Sequence, residues 1–404
     1  MALAEDIPAG VSPAASARAL PRRVRIESVD VVRGLIMIVM ALDHTRDFLG
    51  FPGDNPTDVV HASAALFFTR WITHFCAPVF FLLTGVGARL SLGRRSPADL
   101  SRFLVTRGAW LILLDVTVLR CLAYQFNFDY RVTMLIVIWA LGWSMIVLAG
   151  LSRLPTPAVI AFGLALVLGH DLLDPVESTN PVWAILHGPG FVVNRPGFEV
   201  FAVYPLVPWV GVTALGWGLG ATYRWDAARR RAWLTRIGLA AVVAFVVVRA
   251  LDGYGDPAPW EHQATALRTV MSFLDTVKYP PSLCFLLMTL GPSLLLLRAT
   301  DPGTPAWLRP ALVIGKVPFF YYAVHFALIH AIAVAVCLAR TGTIHWLFES
   351  PDRGSYPFVP PPGWGLPLPF VHLTWILVVL AMYMPCRWFA GMKARRTDAW
   401  LSYL

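Results

Sequence analysis

The chain has 404 residues and a formal net charge of +9, with 57% hydrophobic and only 14% charged residues. A soluble domain carries roughly 25% charged residues, so this composition excludes a soluble enzyme or a disordered protein and leaves a polytopic membrane protein. The positive balance calls for no nucleic acid partner, because it collects in loops where it sets topology and attracts anionic lipid heads.

The first 24 residues are rich in Ala and Pro, with Arg near their end. They lack an apolar stretch followed by a small-residue cleavage site and read as a disordered cytoplasmic tail. A single transmembrane domain is expected over residues 25–404. Apolar runs predict ten helices and an all-α fold, at 31–50, 64–91, 102–122, 132–152, 156–173, 203–223, 234–251, 281–298, 312–339 and 369–391. With the N-terminus inside, 23 of the 33 Lys and Arg fall on inner segments, which predicts both termini in the cytoplasm. The outer segments hold 15 acids against 10 Lys and Arg, a face suited to a neutral or amine-bearing acceptor. Long outer loops at 174–202, 252–280 and 341–368 mix aromatics, Gly, Pro and carboxylates, as lids and binding loops do.

The first helix carries Arg33 and His44, eleven residues apart. Eleven helical residues turn about 1100°, close to three full turns, so both lie on one stripe roughly 16 Å apart along the axis. Ionisable groups inside a membrane helix mark a pathway or a reaction site. His44 is the candidate base, since imidazole takes and returns a proton near neutral pH. Asp47, one turn on, is the candidate partner that orients it, and Asp43 is a candidate pocket residue. Taken alone, Asp43, His44, Arg46 and Asp47 also describe a helix end meeting interfacial water. Arg33 on the same stripe tips the reading towards chemistry, although Asp30 at i−3 offers it a simple ion pair.

Further along, His74 precedes Pro78, where the second helix is expected to bend and open a polar pocket. Thr84, Gly85 and Gly87 read as a close-packing stripe. Asp115, among Leu and Val, needs a partner, expected to be an Arg of another helix. Lys278 is a candidate outer-pocket residue. Tyr321 and His325 share a face at i, i+4, Tyr322 lies at i−3 from His325, and His330 points elsewhere. Cys76, Cys121, Cys284, Cys337 and Cys386 fall in or beside apolar spans at spacings that match neither a disulfide framework nor a metal knuckle, so they are read as packing residues. No metal site is expected, because no His-x-x-x-His or Cys-x-x-Cys spacing occurs; dinucleotide, P-loop and serine-nucleophile motifs are missing too.

The Arg33-x10-His44 pattern resembles the transmembrane acyltransferase superfamily. Within it, Arg25-Ile-Glu-Ser28-Val-Asp30-Val-Val-Arg33-Gly34-Leu resembles the heparan-alpha-glucosaminide N-acetyltransferase catalytic-domain family, in its bacterial membrane branch. The segments around Ala41–Phe48, Thr69–Pro78, Tyr204–Trp209, Tyr254–Pro257 and Lys278–Pro281 are similar to that branch as well. The resemblance implies transfer of an acyl group, acetyl above all, from cytoplasmic acyl-CoA to an acceptor on the far side, with acyl-CoA as co-substrate and no permanently bound cofactor. It implies that Arg33 helps hold CoA and that His44 is the base or acyl relay. Lysosomal members carry a large lumenal domain ahead of this helix, where about 24 residues stand here. The expected acceptor is therefore an envelope glycan, glycolipid or amino sugar, and the expected location a bacterial inner membrane. A homodimer is compatible with the sequence. The rival readings are a proton-coupled transporter, which intramembrane Asp115, Arg33 and histidines also suit, and a non-catalytic scaffold.

Overall fold

A helix from Glu27 to Leu49 (α1) is the hub of the molecule, and most of its residues are buried. The coordinates are a computed structural model and describe residues 26–93, 95–352, 354–396 and 398–403. The expected N-terminal tail, Arg25 of the family-like segment and the loop residue Arg94 lie outside the described residues.

The remaining elements are α2 (Ala64–Thr73), α3 (Cys76–Ser91), α4 (Pro97–Leu114), β1 (Val132–Leu135), α5 (Val137–Leu151), α6 (Thr156–Gly169), α7 (Pro181–Leu186), β2 (Gly190–Arg195), β3 (Phe198–Ala202), α8 (Leu206–Ala221), α9 (Ala227–Leu251), α10 (Ala266–Leu274), α11 (Leu283–Thr300), α12 (Arg309–Gly315), α13 (Pro318–Thr341) and α14 (Leu368–Arg395). Helix starts follow capping side chains. Ser63, Ser96, Asp226, Thr265 and Ser282 each accept a hydrogen bond from a first-turn N–H. Ser96 with Pro97 behind it begins α4 five residues before the expected 102.

All ten expected helical regions are helical, and four depart from a plain rod. α2 and α3 form one span broken at His74 and Phe75, because Pro78 has no N–H to give the His74 carbonyl. α4 continues as a wider i→i+5 coil from Asp115 to Tyr124. The region expected as a helix from 132 opens instead with β1. The region 312–339 is two helices, divided before Pro318. A small sheet in the order β1-β3-β2 was not expected. β1 runs parallel to β3, with Val132 opposite Glu199, and β2 runs antiparallel to it. The fold is thus mostly helical rather than purely so.

Among the described residues, six helical spans are long and apolar enough to cross a membrane: Ala64–Ser91, Thr156–Leu173, Ala227–Leu251, Leu283–Thr300, Pro318–Thr341 and Leu368–Arg395. α1 fails that test because of its charges, and it survives because α2, α3, α11, α12, α13 and α14 pack around it. The polar helix sits inside and the apolar ones outside. α9 and α14 expose rows such as Val243, Val246 and Val247, or Leu373, Leu377 and Leu380, which suit lipid tails rather than water.

Glycines set the closest helix contacts. A Cβ on Gly34 would fall onto the Ala311 carbonyl, and one on Gly315 onto the Asp30 carbonyl, so α1 and α12 touch backbone to backbone. Gly85 and Gly216 do the same for α3 and α8. Of the expected packing stripe, Gly85 packs closely, whereas Gly87 has no neighbour within 4 Å of a built Cβ and faces a cavity.

Candidate active site

On α1, Asp30, Arg33, Met37 and Met40 follow one another at steps of three or four residues and line one wall of a cavity of about 1310 Å³. Its other walls come from α3, α4, α5 and the start of α13. Seven cations line it: Arg33, Arg89, Arg95, Arg107, Arg224, Lys316 and Lys393; Asp30 is the single acid among the described lining residues. By sequence alone these cations are topology signals, Arg33 excepted. The fold gathers them at one end of a single cavity. Arg33 donates to Asp30 at 2.9 Å and to the Gly315 carbonyl at 3.3 Å, which holds its guanidinium at the α1–α12 seam. Arg95 lies 3.9 Å from the centre of the Phe103 ring and Arg89 5.0 Å from that of Trp217. The cavity lining includes Met40 and Tyr322, and His44 is the next residue on the stripe after Met40.

His44 and His325 meet there, Nδ1 of His44 lying 2.9 Å from Nε2 of His325. The hydrogen-bond network assigns the protons. Nδ1 of His325 faces the Tyr321 carbonyl at 2.7 Å, which can only accept, so that nitrogen carries hydrogen. Nε2 of a neutral His325 must then accept from His44 Nδ1–H. Nε2 of His44 is left as a lone pair, with no hydrogen bond among the described residues. Phe326 packs on His44 with ring centres 4.1 Å apart, and Tyr321 stacks on His325 at 4.8 Å. The buried Tyr321 hydroxyl finds no partner among the described residues, so Tyr321 serves the pair through its ring and carbonyl.

Asp47 does not orient His44. It is exposed and pairs with Arg46 at 2.6 Å, while His325 takes the place expected for it. The reason is register: three residues on from His44, Asp47 has passed the buried face, and its neighbour Arg46 is within reach. Asp43 is held by Arg70 through both carboxylate oxygens, at 2.8 and 2.7 Å, and by Arg46 at 2.9 Å. Arg70 was missed by sequence reasoning. Its only signal was a cation one helical turn ahead of His74. His74 itself is buried against Phe285 with its Nδ1 unpartnered.

Asp115 also finds a partner other than the expected Arg. The Tyr124 hydroxyl donates to it at 3.0 Å and shares a 2.8 Å bond with the Tyr322 hydroxyl. Nine α-helical residues turn about 900° and would set Asp115 and Tyr124 on opposite faces. The wider coil brings them onto one face. His330 faces away from the site, its two nitrogens near the carbonyls of Ala123 and Leu347.

Lys278 is delivered by the loop between α9 and α11. Its ammonium sits 5.1 Å over the Tyr279 ring and within electrostatic reach of Asp43 and His44. Burial pushes the Tyr279 phenol up, but Lys278 and Arg70 outweigh it and hold the group below the ordinary tyrosine value. The loop is organised by buried Arg249, which donates to the carbonyls of Phe273, Ala258, Ser272 and Asp275. Burial pushes Asp275 up to about 6, against the pull of Arg249 and with help from Asp256, and burial raises Asp256 as well. Carboxylates raised in this way stabilise the folded loop while they are protonated. Protection of residues 252–282 from hydrogen exchange, corrected for intrinsic rates, should therefore be greatest below about pH 4 and fall as pH rises through 6. Asp275→Asn should flatten that profile, and an unchanged slope would remove Asp275 as its source.

A second hollow of about 400 Å³ lies at the other end of α1, lined by Arg46, Asp47, Tyr356, Phe358 and Trp364 among others. Between the two cavities stand His44, Phe326, Phe48 and Phe358, in ring contact one after another. The His44 imidazole thus sits between a basic cavity and a smaller hollow that holds both signs of charge.

No curated protein matches the chain. The family model described as Heparan-alpha-glucosaminide N-acetyltransferase, catalytic, matches residues 25–254, which span α1 with Arg33 and His44, the broken span with Arg70 and His74, and most of the basic cavity wall. A match over more than half of the chain, together with long apolar helices around a buried polar one, makes this an integral membrane transferase that belongs to the heparan-alpha-glucosaminide N-acetyltransferase catalytic family.

Proposed function

We propose that the chain moves an acyl group, acetyl in the first instance, from acyl-CoA in the basic cavity to a hydroxyl or amine of a glycan or glycolipid. The acceptor enters through the smaller hollow. The observation that carries this reading is the α1 wall, which runs from the cations through Met37 and Met40 to His44. CoA has phosphates at one end and its thioester at the end of a long arm. A cluster of cations suits the first, and the apolar stretch of α1 between Arg33 and His44, roughly 16 Å long, suits the second. His44 Nε2 takes the proton of the acceptor O–H or N–H as its oxygen or nitrogen attacks the thioester carbonyl. The C–S bond breaks, and the CoA sulfur takes the proton back from His44. His325, accepting from His44 Nδ1–H, steadies the imidazolium between those two transfers. Asp43, Arg70 and Lys278 hold the charge balance on the acceptor side, and His74 lies against that group.

The test is acetyl-CoA binding to the purified, detergent-solubilised protein. Arg33→Ala should weaken binding roughly 10- to 100-fold, the worth of a charge-assisted contact. Absence of binding in folded wild type, or equal binding in both proteins, would overturn the donor assignment.

The same reading places ten spans in a bacterial inner membrane with both termini and the basic cavity in the cytoplasm. All five cysteines are free and buried, so one introduced thiol reports without background. Thr179, in the exposed loop before α7, is a suitable place. A Thr179→Cys variant in sealed cells should react with a membrane-impermeant maleimide from outside. Labelling confined to inverted vesicles would reverse the orientation.

A further inference from the structure

The 3₁₀ turn His170–Leu173 at the end of α6 meets the end of α7 behind the loop that carries Lys278. His170, Asp174 and His187 come together there, and their ligand atoms all lie within 4.8 Å of one another. It is the one such group of three or more His, Cys, Asp or Glu side chains among the described residues. His170 and His187 are both buried. No well-aligned hydrogen bond reaches His170 or Nδ1 of His187 among the described residues, although Asp171 Oδ1 lies 3.1 Å from His170 Nδ1 and the Pro281 backbone faces the same ring. A buried imidazole nitrogen without a well-made hydrogen bond is costly unless something else satisfies it.

We propose that His170, Asp174 and His187 bind a zinc-class divalent ion. Two imidazoles and a carboxylate are a borderline-soft donor set that suits zinc and its neighbours rather than magnesium or calcium. The cluster is already close to ligand spacing. A tetrahedral ion with bonds of about 2.0–2.1 Å sets its donors about 3.3 Å apart, and His187 Nε2 is 3.0 Å from Asp174 Oδ1. The other separations need to close by about an ångström and a half at most. Trp183 packs on the His187 ring with centres 5.1 Å apart and limits its rotation.

A supporting carboxylate stands behind the first histidine. Asp171 Oδ1 lies 3.1 Å from His170 Nδ1 and makes no hydrogen bond of its own, while Asp171 Oδ2 accepts from the Leu283 N–H at 3.0 Å. A small turn of the ring would give the carboxylate–histidine–metal relay that orients ligands in metal sites and leave His170 Nε2 for the ion. Three protein ligands leave a fourth position for water. The ion would tie the 174–187 loop to α6 and, through Asp171, to the start of α11. The turn that carries Lys278 ends at that point. The spacing His-x3-Asp-x12-His belongs to no recurring ligand pattern, so only the meeting of α6 and α7 reveals the group.

The experiment uses the full-length purified protein, stripped with a chelator and dialysed against Zn²⁺, with metal counted by mass spectrometry. About one equivalent should be retained by wild type, and at least tenfold less by His187→Ala and by His170→Ala. Mg²⁺ and Ca²⁺ should not compete. A second measurement needs no variant: Co²⁺ added to the stripped wild type should give the intense visible bands of a four-coordinate site, and Zn²⁺ should abolish them. Retention well below one equivalent by monodisperse wild type overturns the proposal. So does undiminished retention in both variants, which would move the ion to exposed histidines such as His61 or His345. Neither result bears on acyl transfer, which is measured separately.

Discussion

His44→Ala is expected to lower acyl transfer on the order of 10³-fold without loss of expression or of acetyl-CoA binding. The separation follows from position. The cations line the basic cavity and His44 is not among its lining residues, so the proposed phosphate contacts do not involve it. Removing the imidazole takes away the lone pair that accepts the acceptor's proton and leaves the cations in place. The partner gives a finer readout. His325→Leu deprives His44 Nδ1–H of its acceptor and should cost on the order of 10²-fold, whereas His325→Gln can still offer an amide oxygen and should recover part of the loss. Asp47→Asn, whose carboxylate pairs with Arg46, should leave the rate close to wild type. Normal turnover in His44→Ala would end the case for it as the base, and a large loss in Asp47→Asn would restore the carboxylate that the geometry has replaced.

The second large effect is structural. Gly34→Leu should destabilise the protein by about 3 kcal/mol or more, read as a lower melting temperature and early aggregation in detergent. Here α1 and α12 touch through Gly34 and Gly315, and the first side-chain carbon would collide with a carbonyl oxygen. No rotamer relieves a clash with backbone, so the helices must separate, and Gly315, whose carbonyl holds Arg33, moves with them. Acetyl-CoA binding should therefore fail along with stability. Gly87→Ala is the control. Its position is open and faces the cavity, so folding should be unaffected while the cavity narrows slightly. Equal melting temperatures for Gly34→Leu and wild type would show that the α1–α12 seam yields.

Much of the frame was legible because it rests on local chemistry. Pro78 bends its helix by the hydrogen bond it cannot give, whereas the equally local break before Pro318 falls inside the single helix expected at 312–339. The caps Ser63, Ser96 and Ser282 are local as well, yet the expected start at 102 passes over Ser96. The shared stripe of Arg33 and His44 is helical arithmetic, and the cavity wall follows it. The sheet was less legible. Val132–Leu135 pairs with Phe198–Ala202 across more than sixty residues, and nothing local distinguishes the first from the start of an apolar helix.

The sequence by itself determined the class of protein, the helical regions, the α1 stripe and the family, because hydrophobicity, period and motif are properties of neighbouring residues. Tertiary structure alone decided who partners whom. His44 took His325 in place of Asp47, Asp43 took Arg70, and Asp115 took Tyr124 once the coil widened to i→i+5. Scattered loop and helix-end cations became the lining of one cavity, and two histidines with an aspartate became a candidate metal centre. Each of these depends on groups that are distant in the chain or turned by a non-standard winding. A buried polar group takes whichever partner the packing brings within about 3 Å.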